Sequence, residues 1–140
     1  MPQKAVDKLL EALLEEDVSD IHFKVGSKPI IRKSGVITHV QDFSVMRDEH
    51  MNRIVNEILS DDQAVKFKEG QEIDMGYALK GTARFRVNIY HQRGSTAMVM
   101  RKIPFEVPEI DDLGLPEVVK KISMEQRGLV LVTGATGTGK

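Results

Sequence analysis

Cysteine is absent from the 140 residues, so a disulfide framework and a thiolate metal site are both excluded. A cysteine-free chain fits a reducing compartment such as the cytoplasm. Tryptophan is absent as well, and five Phe and two Tyr offer few flat surfaces on which unpaired bases could stack. No sign of charge dominates. The 20 Lys and Arg stand against 21 Asp and Glu, a net charge of −1. That balance argues against a protein that coats nucleic acid through a basic surface. Apolar runs are short, none near the roughly 18–20 residues that span a bilayer. The opening MPQKAVDKLLEALLEED is acidic and interrupted, unlike a secretory leader. His22, His39, His50 and His91 lack ligand spacing, so no metal site is expected.

What is present is a composition able to bury a core, 41% hydrophobic and 29% charged, at a length of about one domain. Val6, Leu9, Leu10, Leu13 and Leu14 make one apolar helical stripe, predicting a helix to about Glu16. Met51, Ile54, Val55, Ile58 and Leu59 repeat that stripe and predict a helix over 47–59. Ser60 and Gln63 form a capping-box pattern with Gly70 as the stop, so a short helix is expected over 61–69. Alternating or apolar runs predict strands at 21–25, 30–32, 36–40, 73–79, 83–90 and 97–103. Ala83, Phe85, Val87 and Ile89, alternating with Arg84, Arg86, Asn88 and Tyr90, give the cleanest period of two. Met98 and Met100 are expected to fill gaps in the core. Ser19 is expected in a turn or cap, and His22 on the polar face of a strand.

Pro104 and Pro108 bracket a stretch without periodicity. Pro116 suits the first turn of a short helix carrying Val118, Val119 and Ile122. Leu129–Val132 is a continuous apolar run, expected to be a strand of a parallel sheet buried on both faces. The organisation predicted is an α+β domain over 1–103, a linker over 104–113, and the opening of an α/β domain over 114–140.

Two features carry chemistry. Gly134, Ala135, Thr136, Gly137, Thr138, Gly139 and Lys140 match G-x-x-x-x-G-K, a phosphate-binding loop, directly after the apolar run. Glycines there let successive backbone N–H groups turn toward phosphate, and the lysine adds a point charge. A Ser or Thr that holds Mg²⁺ is expected at the next position, so these residues are read as part of a longer protein. The second feature is a cationic block. Residues 81–105 contain Arg84, Arg86, Arg93, Arg101 and Lys102 and no carboxylate. Nothing in that stretch neutralises them, so the block reads either as an ordinary solvated strand face or as one that faces an anion.

With these motifs in place, the chain resembles the type IV pilus retraction ATPases of twitching motility, the PilT family of the secretion ATPase superfamily. The resemblance rests on Ser19-Asp20-Ile21-His22-Phe23, Gly26, Pro29, Arg32 and Gly35. It continues through Ala83-Arg84-Phe85-Arg86-Val87-Asn88, Gln92-Arg93-Gly94 and Arg101-Lys102-Ile103-Pro104, and ends with Arg127-Gly128-Leu129-Val130-Leu131-Val132-Thr133-Gly134. Lys28 departs from the pattern, which commonly has proline there. Pilus-extension and type II secretion ATPases share part of the pattern but usually carry longer N-terminal regions.

The resemblance implies a PAS-like N-terminal domain joined to a RecA-like core, assembled as a homo-hexamer. It implies ATP and Mg²⁺ as cofactors. It further implies a cytoplasmic place of action, peripheral at the inner-membrane pilus base, beside a platform protein. It also implies that Arg86 and Arg101 sense nucleotide phosphate. No catalytic residue and no metal ligand is assigned within these residues, and the 140 residues alone are expected to be inactive. The alternatives are a pilus-extension or type II secretion ATPase of the same superfamily, or a non-catalytic interaction module.

Overall fold

A computed structural model describes residues 4–14, 18–105 and 108–135. The chain divides into two compact units, Met1–Phe105 and Glu106–Lys140.

The first unit is built on a six-stranded antiparallel sheet. Its strands are β1 (Val18–Lys24), β2 (Ile30–Lys33), β3 (Val36–His39), β4 (Ile73–Leu79), β5 (Ala83–Gln92) and β6 (Ser95–Ile103), and its helices are α1 (Ala5–Leu13), α2 (Asp48–Ile58) and α3 (Asp61–Lys68). The strand order is β3-β2-β1-β6-β5-β4. Sequential hairpins make each half, and pairing of the first strand with the last joins the halves, with Asp20 opposite Arg101 and Lys24 opposite Ala97.

Alternation along the strands divides the sheet into two faces. Ile21, Phe23, Val87, Ile89, Met98 and Met100 lie on one face and are at most 1% exposed. Cross-strand register stacks them, with Met100 between Ile21 and Val87 and Met98 between Phe23 and Ile89. Both methionines therefore belong to the core. Val6, Leu10 and Leu13 of α1 and Met51, Ile54, Val55 and Ile58 of α2 join the same cluster. Each such side chain contributes about 1.5–3 kcal/mol through burial. The opposite sheet face carries Asp20, His22, Arg32, Asp74, Arg86, Asn88 and Arg101, at register positions paired with one another.

Helix ends follow local chemistry. Ser60 N–H donates to Gln63 Oε1 at 3.0 Å and Gln63 N–H donates to Ser60 Oγ at 3.4 Å, the reciprocal box expected at α3. α3 ends with Gly70 at φ 90°, where Gly70 N–H bonds Phe67 O and Gln71 N–H bonds Lys66 O. These two bonds make a Schellman stop, and the left-handed φ explains the glycine. α1 lacks a side-chain cap of its own. Glu57 of α2 supplies one, its Oε2 accepting from Ala5 N–H at 2.7 Å and Val6 N–H at 3.3 Å. Tyr77 of β4 donates to Asp7 Oδ1 at 2.5 Å, which ties α1 to the sheet.

Several boundaries move. α1 stops at Leu13 because Leu14 is extended, and the rest of the expected helix lies outside the described residues. β1 begins at Val18, so Ser19 is not in a turn or cap. It sits in the strand, at an irregularity between Val18 and Asp20.

In the second unit, α4 spans Val118–Ser123, with Pro116 O accepting from Val119 N–H at 2.9 Å. The expected strand at Leu129–Val132 does not form, and Leu129, Leu131 and Val132 are over 70% exposed. A parallel strand takes all its ladder bonds from neighbouring strands. Residues 108–135 contain no other strand to provide them.

The α3 box yields a stability test. Ser60→Ala removes the N-cap acceptor and is expected to cost about 0.5–2 kcal/mol, whereas Ser60→Asp keeps it and stays near wild type. Denaturant unfolding of both variants checks this.

Candidate anion-facing site

The polar sheet face brings together residues far apart in sequence. β1, β6 and β5 lie side by side, so Asp20, Arg101 and Arg86 form one row, extended by Arg32 on β2. His22, Val99, Asn88 and Asp74 form the adjacent row. Asp74, Arg86, Asn88, Val99 and Arg101 line an open depression of about 240 Å³.

Arg86 and Arg101 are direct cross-strand partners. Like charges in that relation repel. Each arginine is balanced by its own aspartate on the strand farther out. Arg86 Nε donates to Asp74 Oδ1 at 3.1 Å and its Nη2 donates to Asp74 Oδ2, a fork-to-fork pair. Arg101 Nε donates to Asp20 Oδ1 at 2.8 Å. Both guanidinium groups stay open to solvent, with side-chain exposures of 70% and 72%.

The resemblance offers Arg86 and Arg101 as residues that face an anion, and the structure sets them side by side. It corrects one premise. Residues 81–105 hold no carboxylate, but sheet register supplies Asp74 and Asp20 from β4 and β1. Alternation marks Asp20, which shares its strand face with His22 and Lys24, but not Asp74, whose face is completed by Gly76 and Ala78. The pairing itself depends on strand order, which alternation does not encode.

Asp20 is unusual because it is a buried carboxylate, 5% exposed. Burial raises its pKa. Hydrogen bonds from Arg101 and Ser19 and the charges of Arg101 and Arg32 lower it, and the lowering prevails. His22 lies two residues on, with its Nε2 buried and unpartnered among the described residues. Burial is the main influence lowering the His22 pKa. Asp20 opposes it by raising the value, and Arg32 and Arg101 add to the lowering.

In the phosphate-loop sequence, Gly134 and Ala135 are described, Gly134 in irregular chain and Ala135 in a bend. Thr136, Gly137, Thr138, Gly139 and Lys140 lie outside the described residues. The segment's chemistry is that of a donor set, combining backbone amides, two threonine hydroxyls and one ammonium with no carboxylate. That set suits polyphosphate. No group of three or more His, Asp or Glu able to hold a metal occurs among the described residues. No helix among them is long and apolar enough to cross a membrane.

Known proteins provide a comparison. No family model matches the chain. The chain is 36% identical over 135 residues to the type IV pilus retraction ATPase PilT of Pseudomonas aeruginosa, covering 96% of this chain and 39% of that protein. It is 34% identical over 134 residues to the type IV pilus ATPase PilU of the same organism, covering 96% of this chain and 35% of the relative. The chain thus spans well under half the length of these curated relatives. A crystal structure of the pilus retraction motor PilT with bound ADP superposes with a TM-score of 0.78 at 35% identity, covering 99% of this chain and 40% of that one. The Legionella pneumophila ATPase DotB shares the fold, with a TM-score of 0.75 at 24% identity, over all of this chain and 41% of its own.

The shifted groups set an acid response. A histidine with a lowered folded pKa stabilises fully above its unfolded value, 6.5, and loses that contribution as pH falls toward the folded value. The same sign holds for Asp20 around its lower reference value, 3.8. Stability is therefore expected to fall on acidification in two stages. His22→Gln should flatten the upper stage and Asp20→Asn the lower one, measured as unfolding free energy against pH.

Proposed function

Because the chain belongs by sequence to the type IV pilus retraction ATPase family, we propose that it is the N-terminal part of a hexameric motor ATPase driving pilus retraction and twitching motility. The observation that carries this reading is the 36% identity to a retraction ATPase across 96% of the chain. The corresponding likeness to the pilus assembly ATPase PilB of Thermus thermophilus is 23% over 155 residues, which favours retraction over extension.

In this reading, residues 1–103 are a PAS-like domain, residues 104–113 a linker and residues 114–140 the start of a RecA-like ATPase domain. An antiparallel sheet with helices over one face supports the first assignment. The motif from Gly134 to Lys140 supports the last. That loop binds ATP through its amides and Lys140, and Mg²⁺ accompanies the phosphates. Bound ATP supplies the phosphoanhydride whose hydrolysis powers the motor. Arg86 and Arg101 contact nucleotide phosphate in the assembled protein, where a planar guanidinium can grip two oxygens at once. The hexamer works in the cytoplasm at the inner-membrane pilus base, against a platform protein.

Two experiments test the proposal. The first uses the full-length hexamer. Arg86→Ala should leave unfolding close to wild type, as at most exposed sites. Its ATP turnover should fall steeply, since an arginine that meets the transferring phosphate is worth about 10³-fold or more. Arg101→Ala should also lose turnover and should cost roughly 1–3 kcal/mol besides, because it strips a hydrogen bond from a buried carboxylate. Normal turnover per folded hexamer in both variants would remove the phosphate-contact role.

The second uses the 140-residue polypeptide. It is expected not to hydrolyse ATP and to bind it weakly, because the acidic metal position and the water-positioning group that hydrolysis needs are not assigned to any of its residues. A micromolar dissociation constant by calorimetry would contradict this. Absence of binding in the full-length protein would instead favour a non-catalytic interaction module.

A further inference from the structure

We propose that Asp20 is a positioning residue for Arg101, holding its guanidinium by one edge so that the terminal nitrogens are presented to a phosphate. This rests on the nucleotide reading above and assigns Asp20 a part in it.

A charge enclosed at this position is costly. A carboxylate 5% exposed has given up most of its hydration, and a buried ion pair is often no more stabilising than apolar residues of the same size. Strand pairing does not need it. β1 and β6 are joined through five register pairs, and Ile21 and Phe23 pack beside Met100 and Met98 on the core face. The charge therefore requires another explanation.

The geometry provides one. Asp20 is fixed from several sides. Ser19 Oγ donates to Oδ2 at 2.9 Å, and Arg32 Nε lies 3.3 Å from the same oxygen. The other oxygen, Oδ1, accepts from Arg101 Nε at 2.8 Å. Ser19 sits at the register irregularity between Val18 and Asp20. Such bulges re-aim side chains and are common beside functional sites.

The Arg101 contact runs through Nε alone. Its Nη1 and Nη2 make no hydrogen bond among the described residues, and the side chain is 72% exposed. Arg86, its cross-strand neighbour, differs. Its Nε and Nη2 are both engaged by Asp74. Of the two arginines, Arg101 is thus the one already oriented with a free pair of donors, and a buried anchor holds it there. A guanidinium so fixed loses little rotamer freedom on meeting its anion, which is the benefit of preorganisation.

The test is a double-mutant cycle in the full-length hexamer with Asp20→Asn, Arg101→Ala and the double variant, reading kcat and KM for ATP per folded hexamer alongside thermal unfolding. Asp20→Asn keeps the side chain's shape and removes its charge. It should lower kcat by roughly tenfold or more, the scale of a misplaced catalytic contact, with a smaller change in KM. In the Arg101→Ala background the same substitution should lower kcat no further, because the group it positions is gone.

Asp20→Glu retains the charge but moves it outward by one methylene. It should give an intermediate kcat, and it serves if the asparagine variant does not assemble. Near-normal kcat in folded Asp20→Asn or Asp20→Glu overturns the positioning role, as does a loss that persists unchanged in the Arg101→Ala background. Those results would leave the arginine reading intact provided Arg101→Ala alone is impaired. Unimpaired Arg101→Ala overturns both.

Discussion

The antiparallel pairing of β1 with β6 governs the first unit. Two hairpin-built halves, β1-β2-β3 and β4-β5-β6, each leave an open edge, and these edges meet only because the first strand lies against the last. That junction stacks Phe23 on Met98 and Ile21 on Met100, giving the helices one continuous apolar surface. On the reverse face the same register sets Asp20 against Arg101 and completes the row of alternating charge. Core and site are two sides of one set of backbone hydrogen bonds. A one-residue slip there would send Met98 and Met100 to solvent and the arginine into the core.

Most single elements were legible because their signals are local. The apolar stripe of α2, the Ser60–Gln63 box and the strict alternation of β5 each reflect neighbours within a few residues, and each produced the expected element. Long-range partners were not legible. Glu57 capping α1 and Tyr77 bonded to Asp7 join positions 52 and 70 residues apart, and nothing local marks either pair. The site divides in the same way. Arg86 and Arg101 were identifiable as uncompensated cations within their own stretch, but their aspartates come from β4 and β1. Leu129–Val132 shows the limit from the other direction. Its composition suits a strand buried on both faces, yet a strand of a parallel sheet exists only in company, and no other strand occurs within residues 108–135.

Balanced cation pairs also bear on how such a face can respond to a ligand. Arg86 and Arg101 stand in like-charge register, and each is offset by a separate carboxylate rather than by one shared between them. The offsets differ in kind. Asp74 is itself 46% exposed and competes with water and salt, whereas Asp20 is almost wholly enclosed. Screening by salt acts mainly on the exposed pair. Ionic strength therefore works on one arginine and spares the other, so the two positions are physically unequal although they sit side by side.

The order of synthesis gives the β1–β6 junction a kinetic meaning. Of the six strands of this sheet, β1 leaves the ribosome first and β6 last, with 73 positions from Lys24 to Ala97. At ~5–20 residues per second, that interval lasts roughly 4–15 seconds. A hairpin pairs within microseconds, so β1, β2 and β3 can join long before β6 exists. For those seconds the nascent chain carries a three-stranded ribbon with one side of β1 unpaired and Ile21 and Phe23 without their methionine partners. The strand at the centre of the finished sheet thus begins as an edge, and in that interval it is the segment most open to a chaperone or to the wrong strand.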